Sequence, residues 1–435
     1  MANFFEPGKV IVISEYANIR GGYESTAKKL NGAEIYFNSV SKVYLFKTKK
    51  EWALGPKVSE QEYYIQSNPT SCVYPYEVDW SQLCVKKYIP FNPQNPQNPQ
   101  NPQAGFIDTE FDATEKSIGT TVNANWVRAT QLRQEDARME LFDKIEPNDI
   151  LQGGLGDCWL LSALASLAEF PSSLKNVFTE DKIADDGKYV LKLYDASKKE
   201  WIQCTIDDRI PCTRASEWYD IPMPLYSRPN GNEMYILLIE KAFAKMSGGY
   251  DKLNGGHPAS AWVALTGCED IDIWSRQGPN WIRFSFNVDA YRKNPWDFQN
   301  VPGFQYKNEQ KNNDDMFKKL KEFDSLNYVM EAAIITNSSE KEHQRVDGLI
   351  ELHAYSMIAV YDDGKHQLVQ LRNPWGNQHE WNGSWADNSK LWDTYPEVAK
   401  KIGQNRKMDG LFWMPWSDCT NIYNNFQVCR KSFAK

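Results

Sequence analysis

The chain has 435 residues, 41% apolar and 24% charged, a globular composition with length for two or three packed units, since single cores rarely grow far beyond ~250 residues. Acidic side chains outnumber basic ones 57 to 49, and no lysine or arginine block stands out, which argues against nucleic acid as a partner. The first residues lack the basic start and apolar run of a secretion signal, and no stretch approaches ~18 consecutive apolar residues, so a cytoplasmic chain without stable membrane insertion is expected.

In chain order, the alternating runs Lys9–Ser14, Ala33–Phe37 and Lys42–Phe46 predict strands of a small β-rich module spanning residues 1–91. No chemistry attaches to this module, and an adaptor partner is one use for it. Residues 92–103 read Asn-Pro-Gln four times, and a proline every third residue forbids helix and favours an extended polyproline II rod. Residues 92–105 are therefore taken as a linker. A mixed region follows, with a helical subdomain expected over 106–260 and a β-rich one over 261–432. Asp157–Phe170 is apolar on nearly every face, which predicts a buried helix. Leu352–Val360 and His366–Leu371 are strand-like runs around the turn signal Tyr-Asp-Asp-Gly-Lys.

Chemistry concentrates at Leu151-Gln-Gly-Gly-Leu-Gly-Asp-Cys-Trp-Leu-Leu161, where a glycine-rich loop runs into that helix with Cys158 in its first turn. Unpaired backbone N–H groups and the positive end of the helix dipole there favour a thiolate and lower the thiol pKa. Attack on an amide creates an oxyanion that needs donors already aimed at it, and the Cys158 N–H and the Gln152 side-chain amide are the candidates. A thiolate also needs a histidine, and the chain has five. His353 is the best placed, in an apolar strand, whereas His343 and His366 have charged or turn-like surroundings. A hairpin centred on Asp363 sets His353 and Asn373 opposite one another, so the asparagine oxygen accepts the imidazole N–H and fixes its tautomer. A one-residue slip in the turn would put them on opposite faces. Trp375 is placed to shield that hydrogen bond.

Gln-Gly-Gly-Leu-Gly-Asp-Cys-Trp, His-Ala-Tyr-Ser and Arg372-Asn-Pro-Trp-Gly376 resemble, in order, the three active-site signatures of the calpain family, and the likeness covers roughly residues 106–430. The resemblance implies an α+β fold, a papain-like core whose helical lobe and β-rich lobe face each other across a cleft. It also implies a Cys-His-Asn thiol protease of the calpain type, a hydrolase acting on protein substrates. Gln152 then serves the oxyanion, Trp375 supports the site, and Gly255 and Gly256 lie along the substrate backbone. Calcium is the implied regulatory cofactor, with Asp149 and Glu233 as acidic ligands of one site and Glu380, Asp387 and Asp409 of another. Three positions depart from the family pattern: Pro147 and Leu411 replace an arginine and an acid that link the two halves, and Leu352 replaces the glycine before the histidine. The expected function is calcium-dependent limited proteolysis of intracellular proteins. The alternatives are a catalytically silent scaffold, a calcium-independent cysteine protease, and a transglutaminase-like acyl transferase, the last disfavoured by the asparagine.

Overall fold

The computed structural model describes residues 105–434, apart from 121–123, 133–138, 214–222, 301–302, 337–341, 377–378 and 405, together with seven N-terminal strands and a few residues beside them. The expected linker, 92–105, lies outside the described residues save for Gly105. The chain divides into two compact units, one of residues 1–100 with 214–222 and one of 101–213 with 223–435.

The N-terminal unit is an antiparallel sheet of Lys9–Ile13, Gly21–Leu30, Ala33–Asn38, Val43–Lys47, Trp52–Gly55, Ile65–Gln66 and Cys84–Lys87. Consecutive strands pair as a meander, and the seventh returns beside the first. Apolar residues of these strands, among them Leu45, Phe46, Trp52 and Leu54, are buried.

In the second unit the nucleophile candidate opens helix α1, Cys158–Ala168, whose residues from Trp159 to Ala168 are all buried. Small residues at Ser162, Ala163, Ala165 and Ser166 let neighbours approach closely, and the polar groups among them are satisfied. Trp159 Nε1 donates to Leu253 O at 2.9 Å, and Trp262 Nε1 to Ser166 Oγ at 3.2 Å. Helices α2, Tyr235–Ser247, and α3, Pro258–Thr266, complete this half with short strands, including the hairpin Lys188–Asp195 and Glu200–Asp207. A division at residue 260 would cut α3. The change from helix to sheet comes at 267–270, where Gly267 terminates α3 in the left-handed conformation.

An eight-stranded antiparallel sheet forms the other half: β1 Ile271–Gln277, β2 Asn280–Phe286, β3 Phe304–Lys311, β4 Val329–Ala333, β5 Ala354–Asp362, β6 Gln367–Arg372, β7 Leu411–Pro415 and β8 Asn425–Cys429. Their spatial order is β3-β2-β1-β8-β4-β5-β6-β7. Helix α1 packs against α3, β4 and β5, and Ser356 Oγ on β5 donates to Ser162 O at 2.8 Å. One hydrogen bond thus ties the cysteine's helix to the strand that follows the histidine.

The β5–β6 register differs from the expected one. Val360 opposes Val369 and Asp362 opposes Gln367, so the hairpin centres between Gly364 and Lys365 rather than on Asp363. That shift alone would turn His353 and Asn373 to opposite faces. A β-bulge at Ile358 inserts one residue and restores the face, because beyond it Met357 opposes Leu371 and Ser356 opposes Arg372. Continued outward, this register sets His353 against Trp375 and leaves Asn373 as its diagonal neighbour on the same side.

Candidate active site

Cys158 sits where the loop 152–157 turns into α1. Leu160 and Leu161 N–H groups return to Asp157 O, so the Cys158 N–H lies in the first turn, where the helix ladder supplies no acceptor. The loop is pinned by its neighbours: Gln152 N–H donates to Pro374 O at 2.9 Å, Gly156 N–H to Asn254 Oδ1 at 3.1 Å, and Gly255 N–H to Gly156 O at 2.7 Å. Gly256 is required by proximity, since a Cβ there would fall 2.4 Å from the Trp159 ring. Gly255, at φ +88°, faces open space. The Gln152 amide donates from Nε2 to Leu155 O at 2.7 Å, and its buried Oε1 has no partner.

His353 is buried, and Asn373 is completely so. Its Nε2 lies 2.7 Å from Asn373 Oδ1. The orientation of the Asn373 amide is fixed independently, because Oδ1 also accepts the Trp375 N–H at 2.9 Å while Nδ2 donates to His379 O at 2.8 Å. Oδ1 can only accept, so Nε2 carries the hydrogen and the reactive position of the ring is Nδ1. The Trp375 ring stands edge-on to His353 at 5.0 Å between centroids, covering the buried bond. Leu352, one residue before, has φ +56°, a left-handed conformation that a glycine would adopt without strain.

Cys158, His353 and Glu342 converge: one ligating atom from each lies within 4.8 Å of the other two. Glu342 was not foreseen from the sequence, where it sits in the charged run Ser-Ser-Glu-Lys-Glu-His and reads as a solvated loop acid. In the structure its Oε1 is 2.7 Å from His353 Nδ1. Burial first, and then the Glu342 carboxylate, push the Cys158 thiol well above its ordinary pKa, which corrects the lowering expected from the helix dipole.

The remaining acids also meet. Burial and the adjoining Asp149 raise Glu233 to about 8, and Glu233 Oε1 accepts the Asp143 N–H. Near the sheet, burial and neighbouring acids raise Glu380 to about 8, and burial and Asp409 raise Asp387 to about 6. Asp387 Oδ2 is buried without a partner. These three are spread more widely than the Cys158 group, which alone among the described residues brings three candidate ligands within 4.8 Å. Between the halves, Asn148 supplies a hydrogen-bonded link. Its Nδ2 donates to Asp409 Oδ2 at 3.0 Å, and its Oδ1 accepts from the buried Arg372, which also donates to Ile150 O at 2.5 Å.

A family model described as calpain family cysteine protease matches residues 106–430. The chain belongs to the calpain family of cysteine proteases. This calpain is 32% identical to the calpain-type cysteine protease DEK1 of Arabidopsis thaliana over 341 residues, 75% of this chain and 14% of that protein. It is 30% identical to Calpain-A of Drosophila melanogaster over 296 residues, 65% of this chain and 31% of that one. Against the calpain of Schistosoma mansoni the identity is 29% over 342 residues, 74% of this chain and 39% of the relative. The chain thus spans well under half the length of these curated relatives. Among the described residues no helix is long and apolar enough to cross a membrane.

Proposed function

We propose that this calpain is a cysteine endopeptidase making limited cuts in intracellular proteins, with Cys158 as nucleophile, His353 as acid and base, and Asn373 holding the imidazole. The observation that carries this reading is the His353 Nε2 to Asn373 Oδ1 bond, which leaves Nδ1, beside Glu342, as the ring's other nitrogen in the cluster with the Cys158 sulfur. Transfer of the thiol proton to Nδ1 creates the attacking sulfur. Its addition to a peptide carbonyl builds an oxyanion served by the Cys158 N–H and by the second hydrogen of the Gln152 amide. The imidazolium returns its proton to the departing amine, leaving a thioester. Water, deprotonated by His353, then releases the acyl group and restores the thiol. Trp375 keeps solvent from the His–Asn bond, and the open face of Gly255 with the tight Gly256 leaves room for a peptide backbone.

Calcium dependence belongs to the same proposal. Asp149 and Glu233 would hold one ion, and Glu380, Asp387 and Asp409 a second. Their carboxylates are the hard donors calcium prefers, and they fit a cation because they crowd like charges at buried or partly buried positions and leave Asp387 Oδ2 unpartnered. The ions would neutralise that crowding and draw the halves together. A silent scaffold is disfavoured by the Cys158, His353 and Asn373 arrangement.

The test is digestion of an unstructured protein such as casein, with and without calcium. Cys158→Ala should lower turnover by at least about a thousandfold with the fold intact. Retention of most activity would remove the nucleophile assignment.

A further inference from the structure

Glu342 has no place in the reaction just described, yet it occupies the ground between the two groups that must meet. Asn373 oxygen compels His353 to carry a hydrogen on Nε2, so in the neutral ring the Nδ1 lone pair looks outward. A carboxylate oxygen, also bearing only lone pairs, stands 2.7 Å away. Two acceptors at that distance repel unless a positive centre lies between or beside them. The third lone-pair donor of the cluster, the Cys158 sulfur, completes a set of one sulfur, one nitrogen and one oxygen, drawn from α1, from the residue just before β5 and from the segment ahead of it.

We propose that Cys158, His353 and Glu342 form an inhibitory site for a borderline-soft divalent cation of the zinc class. The donors suit such an ion. Thiolate, imidazole and carboxylate are its usual ligands, and three protein donors with one position left for water make a tetrahedral centre. Calcium and magnesium, which take oxygen, are excluded by the sulfur and nitrogen. The surroundings also match. A metal-bound imidazole is normally held by a hydrogen bond from its other nitrogen, here supplied by Asn373, and the ring is fully buried while Glu342 remains partly exposed, giving the ion a route in. Loading releases the Cys158 thiol proton to solvent, places both the sulfur and Nδ1 on the metal, and removes nucleophile and base together.

The inference depends on the proteolytic reading only for its consequence, loss of turnover. The site itself is tested without any substrate, by titrating the full chain, calcium-free, with cobalt(II). We expect a near-ultraviolet sulfur-to-cobalt charge-transfer band that saturates at one equivalent, is displaced by zinc, is absent from Cys158→Ser, and in Glu342→Gln needs at least about tenfold more cobalt. In parallel, zinc should halt casein cleavage by the wild-type chain at a concentration at least about tenfold below that needed for Glu342→Gln. Absence of the band in the wild-type chain, the result expected if only a proton joins Glu342 to His353, would overturn the site. So would equal cobalt affinity in Glu342→Gln. A cobalt band in a chain that cuts no casein would sustain the site and remove the protease reading, whereas cleavage with no band would do the reverse.

Discussion

Leu352, next to His353, holds a left-handed backbone conformation. A leucine at φ +56° costs about 1–2 kcal/mol, and the backbone is held there by the Leu352 N–H bond to Ile334 O and by the His353 side chain that follows. Branching at Cβ would worsen it. Leu352→Val should lower the thermal midpoint by several degrees and slow casein cleavage, while Leu352→Gly should do neither. Thermal melts of the two variants check this, and an equal response would show that the dihedral is not under strain. At this scale the sequence was informative where chemistry is unusual: a cysteine after a glycine loop, and an apolar strand holding a histidine. Glu342 was opaque because its role comes from where a charged loop lands in space. The thiol's raised pKa was opaque for the same reason, since the dipole argument knows nothing of burial or of a carboxylate delivered from elsewhere.

Among the elements, α1 and β4 share a buried acid. Glu331 of β4 lies fully buried beside Ser162, and burial raises its carboxyl well above its ordinary 4.5. The folded state keeps the proton while the unfolded chain loses it above 4.5, so the unfolded state binds fewer protons and stability falls as pH rises from there. Glu331→Gln removes that dependence and keeps the shape. Its thermal midpoint should match the wild type near pH 4 and exceed it by several degrees at pH 8, the gap widening with pH; a constant gap would contradict a protonated Glu331. Strand positions were readable from alternation, as Lys9–Ile13, Ala33–Asn38 and Val43–Lys47 illustrate. Register was not, because a turn signal locates a hairpin only to within a residue or so and nothing in Ser-Met-Ile-Ala marks Ile358 as a bulge. The turn lies one and a half residues beyond the expected centre and the bulge adds one residue, and the two shifts cancel in the face they present, so the His353–Asn373 pairing holds for a reason different from direct opposition.

For the whole molecule, the question is what brings the halves into line. Asn148, Asp409 and Arg372 already join them by hydrogen bonds. If calcium binds the clustered carboxylates, it should stabilise the folded state by about 2.7 kcal/mol at a hundredfold excess over Kd, and Glu380→Gln should forfeit part of that gain. Calorimetry with calcium and with chelator measures it, and an unchanged midpoint would leave a calcium-independent protease. The two-part core was legible from three motifs in order, but its exact dividing point was not, because α3 continues past residue 260 before Gly267 ends it. The sheet holds one more consequence. β8, made after every other strand, lies in the middle, between β1 and β4, and without it the sheet is two separate ladders. Translation therefore completes α1 and the ladder that follows His353 before residues 425–429 can join the two ladders into one sheet.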